Sequence, residues 1–111
     1  MEDFIIFLEK RIGEQKADIE KLEKEGRGDE ADFARVRSNI YDIARSVTLA
    51  LKDRSGYGTD AVRERFEGFR RDWGAALEKA REKDDAKGTA VGENRLAALE
   101  EIIERFREVC G

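Results

Sequence analysis

Residues 33–51 read FARVRSNIYDIARSVTLAL, and the spacing of their apolar side chains decides the fold. Phe33, Val36, Ile40, Ile43, Val47 and Ala50 recur at alternating intervals of three and four, with Ala44 and Leu51 widening the stripe. That period lines them along one side of a helix, and the single-residue alternation of a half-buried strand is missing. The same spacing returns upstream as Ile5, Leu8, Ile12, Gln15, Ile19, Leu22. Downstream it appears twice: as Val62, Phe66, Phe69, Trp73, Ala76, Ala80 with Leu77 beside them, and as Leu96, Leu99, Ile103, Phe106, Cys110 flanked by Ile102 and Val109.

Gly26-Arg27-Gly28-Asp29, Ser55-Gly56-Tyr57-Gly58-Thr59 and Lys87-Gly88-Thr89 separate these segments. Glycine stops a helix and Asp or Thr caps the next, so Asp29, Thr59 or Asp60, and Thr89 are the expected caps. The predicted helices cover about 3–25, 29–53, 59–83 and 90–110, each about 35 Å long at 1.5 Å per residue. Four similar helices with short connections predict an all-α, antiparallel up-down-up-down four-helix bundle, one domain over residues 1–111. The second segment has the widest apolar arc and is expected to be the most buried.

Composition supports a folded chain. Among 111 residues 43% are charged, yet 40% are apolar, with six Phe and one Trp, and proline is absent. Twenty-two bases nearly balance 26 acids, leaving a net charge of −4 with both signs interspersed, as on solvated helix surfaces. Residues 1–25 and 84–111 are each net −3, and the two middle segments each +1. In a simple bundle the first and last helices are neighbours, which would set an acidic side opposite a faintly basic one.

The inventory narrows function. Without histidine there is no Ser–His–Asp or Cys–His site within the chain and no Glu-x-x-His di-metal centre. One cysteine forms no internal disulfide and completes no zinc site. No cofactor or metal is expected. The start, Met1-Glu2-Asp3-Phe4-Ile5-Ile6-Phe7-Leu8-Glu9, carries acid where a signal peptide is basic, and its apolar run is too short to span a membrane. A soluble, cytoplasmic, non-catalytic protein is the expectation, with no membrane and no nucleic-acid partner. A pI near 5.1 lacks the positive surplus that phosphate binding requires. The most basic stretch, Arg63, Arg65, Arg70 and Arg71, is interleaved with Glu64, Glu67 and Asp72, and Arg63–Glu67 and Glu67–Arg71 pairs are expected across one turn.

Phe4-Ile5-Ile6-Phe7-Leu8 is the most informative excess. Ile5 and Leu8 belong to the stripe, Phe4 and Phe7 point about a quarter-turn away, and Ile6 lies on the far side. Either helix one enters the bundle with a wide buried face, or Phe4, Ile6 and Phe7 anchor a protein partner or a homodimer. The second is the leading expectation. Phe66, Phe69, Trp73 and Phe106 are the alternative, an apolar pocket between helices for a small ligand or effector.

Other features have plainer accounts. Gln15 on the stripe can fix register, but helical and heptad periods diverge, and that drift predicts Gln15 at a wet boundary. Glu93, Glu100, Glu104 and Glu108 form an acidic line that reads as a solvated face. Arg27-Gly28-Asp29 spells an adhesion tripeptide, and a stop and a cap already explain it. Ser55-Gly56-Tyr57-Gly58 reads as a turn rather than a phosphate cradle. Gly68 and Gly74 flank the Phe69–Trp73 pair, where close approach of another helix would rationalise them.

Overall fold

The computed structural model describes residues 1–54 and 58–110. The expected turn at Ser55-Gly56-Tyr57 therefore lies outside the described residues, as does Gly111. α1 spans Glu2–Lys24, α2 Gly28–Leu51, α3 Gly58–Glu82 and α4 Ala86–Cys110. They form an antiparallel up-down-up-down four-helix bundle, with no strand among the described residues.

The connections follow from backbone hydrogen bonding. α1 ends when Gly26 turns to φ 74°, and Arg27 N–H then donates to Leu22 O at 2.8 Å and Gly26 N–H to Glu23 O at 3.1 Å. This 6→1, 5→2 pattern satisfies carbonyls a helix end leaves orphaned, and glycine adopts the left-handed backbone without steric cost. α3 ends in the same way, with Asp84 at φ 53°, Asp85 N–H on Ala80 O at 2.9 Å and Asp84 N–H on Arg81 O at 3.2 Å.

This second turn corrects the expected start of the last helix. Gly88 and Thr89 lie inside α4. Asp85 is the cap, its Oδ1 accepting the Gly88 N–H at 2.9 Å, and the turn was missed because it contains no glycine. Asp29 and Thr59 likewise lie within first turns rather than capping; α2 is preceded by Arg27, with no side-chain cap.

Inter-helix ion pairs record the directions. Arg45–Glu9 at 3.4 Å and Arg35–Glu23 link α2 to α1, and Arg70–Glu100 at 2.8 Å and Arg81–Glu93 at 3.9 Å link α3 to α4. In each couple one number rises as the other falls, so the helices are antiparallel. Between α2 and α4, Arg37 Nη1 donates to Asn94 Oδ1 at 2.6 Å and the Tyr41 hydroxyl to Glu101 Oε1 at 2.9 Å. Both residue numbers rise together, so α2 and α4 run parallel, as bundle diagonals do.

The bundle is rhombic rather than square, with extents of 46 × 34 × 20 Å. α2 and α4 pack along the short diagonal; α1 lies outside α2, α3 lies outside α4, and α1 and α3 do not adjoin. Buried Ala31, Ala34 and Ala44 on α2 and Ala98 on α4 allow close approach of the axes. α4 therefore shares the buried centre with α2, and the acidic α1 borders α4 only shallowly. The seam of α2 is rotated from the expected stripe. Ala31, Ala34, Tyr41, Ala44 and Thr48 are buried with Ile40, while Phe33, Val36, Ile43 and Val47 are half-exposed.

Glycines divide by environment. A Cβ on Gly92 would sit 3.0 Å from Leu77 Cδ1 and 3.6 Å from Leu77 Cα, so this is the close approach between α3 and α4. At Gly74 there is open space, and at Gly68 only the Arg71 side chain is near, contrary to the expectation. Gln15 is also displaced from its expected wet boundary. It is 3% exposed, and its Oε1 has no hydrogen-bond partner in the protein. The seam of α1 runs through Phe4, Leu8 and Gln15; it shares Leu8 and Gln15 with the predicted stripe and takes Phe4 in place of Ile5, so Gln15 stays on the buried side instead of drifting to the boundary.

Asp84→Gly is expected to raise unfolding free energy by about 1 kcal/mol by relieving a left-handed non-glycine residue. Gln15→Leu is expected to raise it by about 1–3 kcal/mol by removing an unpaired buried carbonyl. Urea unfolding of each variant checks both.

Candidate interaction surfaces

The amino-terminal cluster divides among three environments. Phe4 is fully buried, which removes it from any surface. Its ring meets Phe106 edge-on at 5.2 Å and Phe66 at 6.1 Å, and Phe66 meets Phe106 at 5.7 Å. Phe7 is half-buried beneath the Arg105 guanidinium, 5.5 Å from its ring centre. Ile6 is 63% exposed. Helix geometry explains the division: Phe4 heads the buried seam, and Ile6 is two residues, about 200°, further round.

Ile6 and Leu49, the latter 40% exposed, are the exposed large apolar residues among those described. Glu9 pairs with Arg45 across antiparallel helices. Ile6 and Leu49 therefore both lie about one turn beyond that pair, at the same end of the α1–α2 ridge. Half-buried Ile5 adjoins Ile6 in sequence on α1. Leu49 was not legible, because the sequence stripe of α2 passes through Val47 and Ala50 instead.

The four residues expected to line a ligand pocket are not brought together around a void. Phe4 occupies the space beside Phe66 and Phe106. Phe69 and Trp73 stack separately on α3, 4.7 Å apart and 2° from parallel, and both are half-buried. Arg65 covers the Phe69 ring at 5.3 Å and Arg95, from α4, covers Trp73 at 5.5 Å. Beside this ladder an open groove of about 530 Å³ separates the C-terminal end of α2 from the start of α3. Val47, Ala50, Leu51 and Arg54 line one wall, and Ala61, Glu64 and Arg65 the other.

A polar cluster joins three helices at mid-height. Arg11 Nε donates to Glu101 Oε1 at 2.9 Å and Arg11 Nη2 to the Tyr41 hydroxyl at 3.1 Å, while that hydroxyl donates to Glu101. The guanidinium also lies 5.1 Å from the Tyr41 ring centre. Burial pushes the Tyr41 phenol above its ordinary value, Arg11 pulls it down, and the bond to Glu101 adds to the rise. For Arg11, burial works against the charge, but the bonds to Tyr41 and Glu101 outweigh it. Arg11 lies four residues before Gln15 on the same face, a signal hidden by placing the stripe on Ile12.

The acidic line of α4 is solvated, as expected. Glu93, Glu100, Glu104 and Glu108 are exposed, and Glu100 and Glu108 pair with Arg70 and Arg105. No cluster of metal-ligating side chains occurs among the described residues. Arg63 pairs with Asp60, and Glu67 with Arg70 and Arg107, replacing the expected Arg63–Glu67 and Glu67–Arg71 pairs. Arg27 of the adhesion-like tripeptide pairs with Glu25 and Glu30. No described helix is long and apolar enough to cross a membrane.

The sequence matches no protein-family model, and no curated protein and no solved structure matches it either.

A phenol whose pKa is higher in the folded chain stabilises the fold below about pH 10, and that contribution is lost as pH rises through the raised value. Tyr41→Phe is expected to cost about 1 kcal/mol at pH 7 through the lost hydrogen bonds. The gap to wild type should narrow above pH 10 in denaturant melts.

Proposed function

We propose that this protein is a non-catalytic interaction module that self-associates through the amino-terminal end of the α1–α2 ridge. The observation that carries the reading is that Ile6 and Leu49, both exposed, lie about one turn beyond the Glu9–Arg45 pair at the same end of that ridge. Apolar side chains held together in water favour a covered state by about 25 cal/mol per Å² buried.

A second copy is the partner that fits best. Around the patch stand Glu2 and Glu9 on α1 and Lys10 and Arg45 beside them, so both signs are present within a few turns. A two-fold contact sets each surface against its own copy, so acid can face base on both sides at once. A partner of a single sign would leave half of those charges unmatched. Phe7 supports the surface from beneath Arg105, while Phe4 acts only within the core.

Sedimentation at tens of micromolar is expected to report a dimer. Ile6→Glu with Leu49→Glu should weaken it at least tenfold, about 1.4 kcal/mol, and leave the helical circular dichroism unchanged. Phe4→Glu should instead unfold the chain, because it buries a charge without a partner. A clean monomer at that concentration would remove the self-association reading.

A further inference from the structure

The geometry points to a second docking surface: the groove between α2 and α3, fitted to an acidic amphipathic helix of a protein partner. It lies on the side of α2 away from α1 and is independent of the α1–α2 ridge.

Three observations place a partner there. First, the apolar stripe legible in α2 is only half covered. Phe33, Val36, Ile43 and Val47 are intermediate in exposure, as are Phe69 and Trp73 on α3. The rhombic cross-section causes this, because α2 spends its deepest face on α1 and α4 and meets α3 less closely. Second, the space between α2 and α3 is an open groove of about 530 Å³ with Val47, Leu51 and Ala61 in its walls.

Third, the charges there are unmatched. Arg11, Arg27, Arg35, Arg45, Arg63, Arg70, Arg71, Arg81, Arg105 and Arg107 each have a carboxylate within 4.0 Å. Among the described residues Arg37, Arg54, Arg65 and Arg95 have none, and Arg37 is bonded to Asn94. Of the other three, Arg54 and Arg65 line the groove, and Arg65 and Arg95 cap the two ends of the Phe69–Trp73 stack. A guanidinium lying on a ring keeps its in-plane N–H donors free, and a carboxylate accepts two of them side by side. Glu64 is the one acid in the groove wall.

The same contacts choose the class of partner. A trough between helices receives the side-chain ridge of another helix, whereas an extended strand would find no sheet edge to complete its backbone bonds. Nucleic acid fits less well. Phe69 lies between Arg65 and Trp73, and Trp73 between Phe69 and Arg95, so the ring faces that would stack a base are already used.

Trp73 is the only tryptophan; it lies outside the groove walls, in the trough between α3 and α4, and senses the groove through its stack on Phe69, whose ring Arg65 of the groove wall covers. The full chain is titrated with a helical peptide of about 18 residues that carries Leu at i, i+4, i+7 and i+11 and Glu elsewhere on its flanks. Parallel titrations use the same peptide with Lys for Glu and a single-stranded oligothymidine. Expected is a saturable change in Trp73 emission with the Glu peptide, at least tenfold tighter than with the Lys peptide or the oligonucleotide. Arg54→Glu with Arg65→Glu should invert the peptide preference, and Val47→Asp should weaken the Glu peptide at least tenfold with the helical dichroism retained. No saturation by the Glu peptide up to about 100 µM, equal binding of the two peptides, or tighter binding of the oligonucleotide would each overturn the proposal.

Discussion

Three phenylalanines from three helices close the bundle. Phe4, Phe66 and Phe106 meet within 6.1 Å of one another, centre to centre. α1 and α3 have no adjoining backbone, so the Phe4–Phe66 contact is where the two outer helices touch. Edge-on ring pairs add about 0.5–1.5 kcal/mol each beyond burial, and the cluster sits beside buried Leu8, Val62 and Ile102. Among the described residues the opposite half of the molecule has no such cluster; there Ala31, Ala34 and Gln15 lie in the interior.

This uneven filling shapes the surfaces. Where aromatic rings occupy the centre, α1 and α3 are drawn in and Ile6 is turned to the outside of α1. Where alanines occupy it, α2 and α4 approach each other, and their charged neighbours reach inward as Arg37–Asn94 and as Arg11–Tyr41–Glu101. Such mid-height polar contacts contribute less energy than the rings but are directional, and they hold α1 in one register against α2 and α4. The half-exposed flank of α2 is the consequence: a helix with two packed neighbours has a third apolar side that nothing among the described residues fully covers.

The arginine distribution carries the same logic. Most arginines are spent on local carboxylates, i to i+3 or across one groove, and such exposed pairs contribute little to stability. Of those left over, Arg37 is bonded to Asn94, and Arg54, Arg65 and Arg95 stand beside aromatic rings or open grooves. The character of each surface is therefore read better from which charges lack a local match than from the total, which is nearly neutral.

Helix number, helical period and chain direction were determined by the sequence alone, because the three-four spacing and the turns between segments are local properties. The apolar content of each helix was legible too, down to Leu99, Ile103 and Phe106 on α4. Which of those residues sit deepest was decided by tertiary structure. A stripe defines a face only to within about one residue, or 100° of arc, and the rhombic packing chose Phe4 over Ile5 and Ala44 over Ile43. The same choice buried Gln15, removed Phe4 from the expected surface and left Leu49 in water. The start of α4 was lost to the sequence for another reason: Asp84 takes a left-handed turn that composition assigns to glycine, and only the closed hydrogen-bond pattern reveals it.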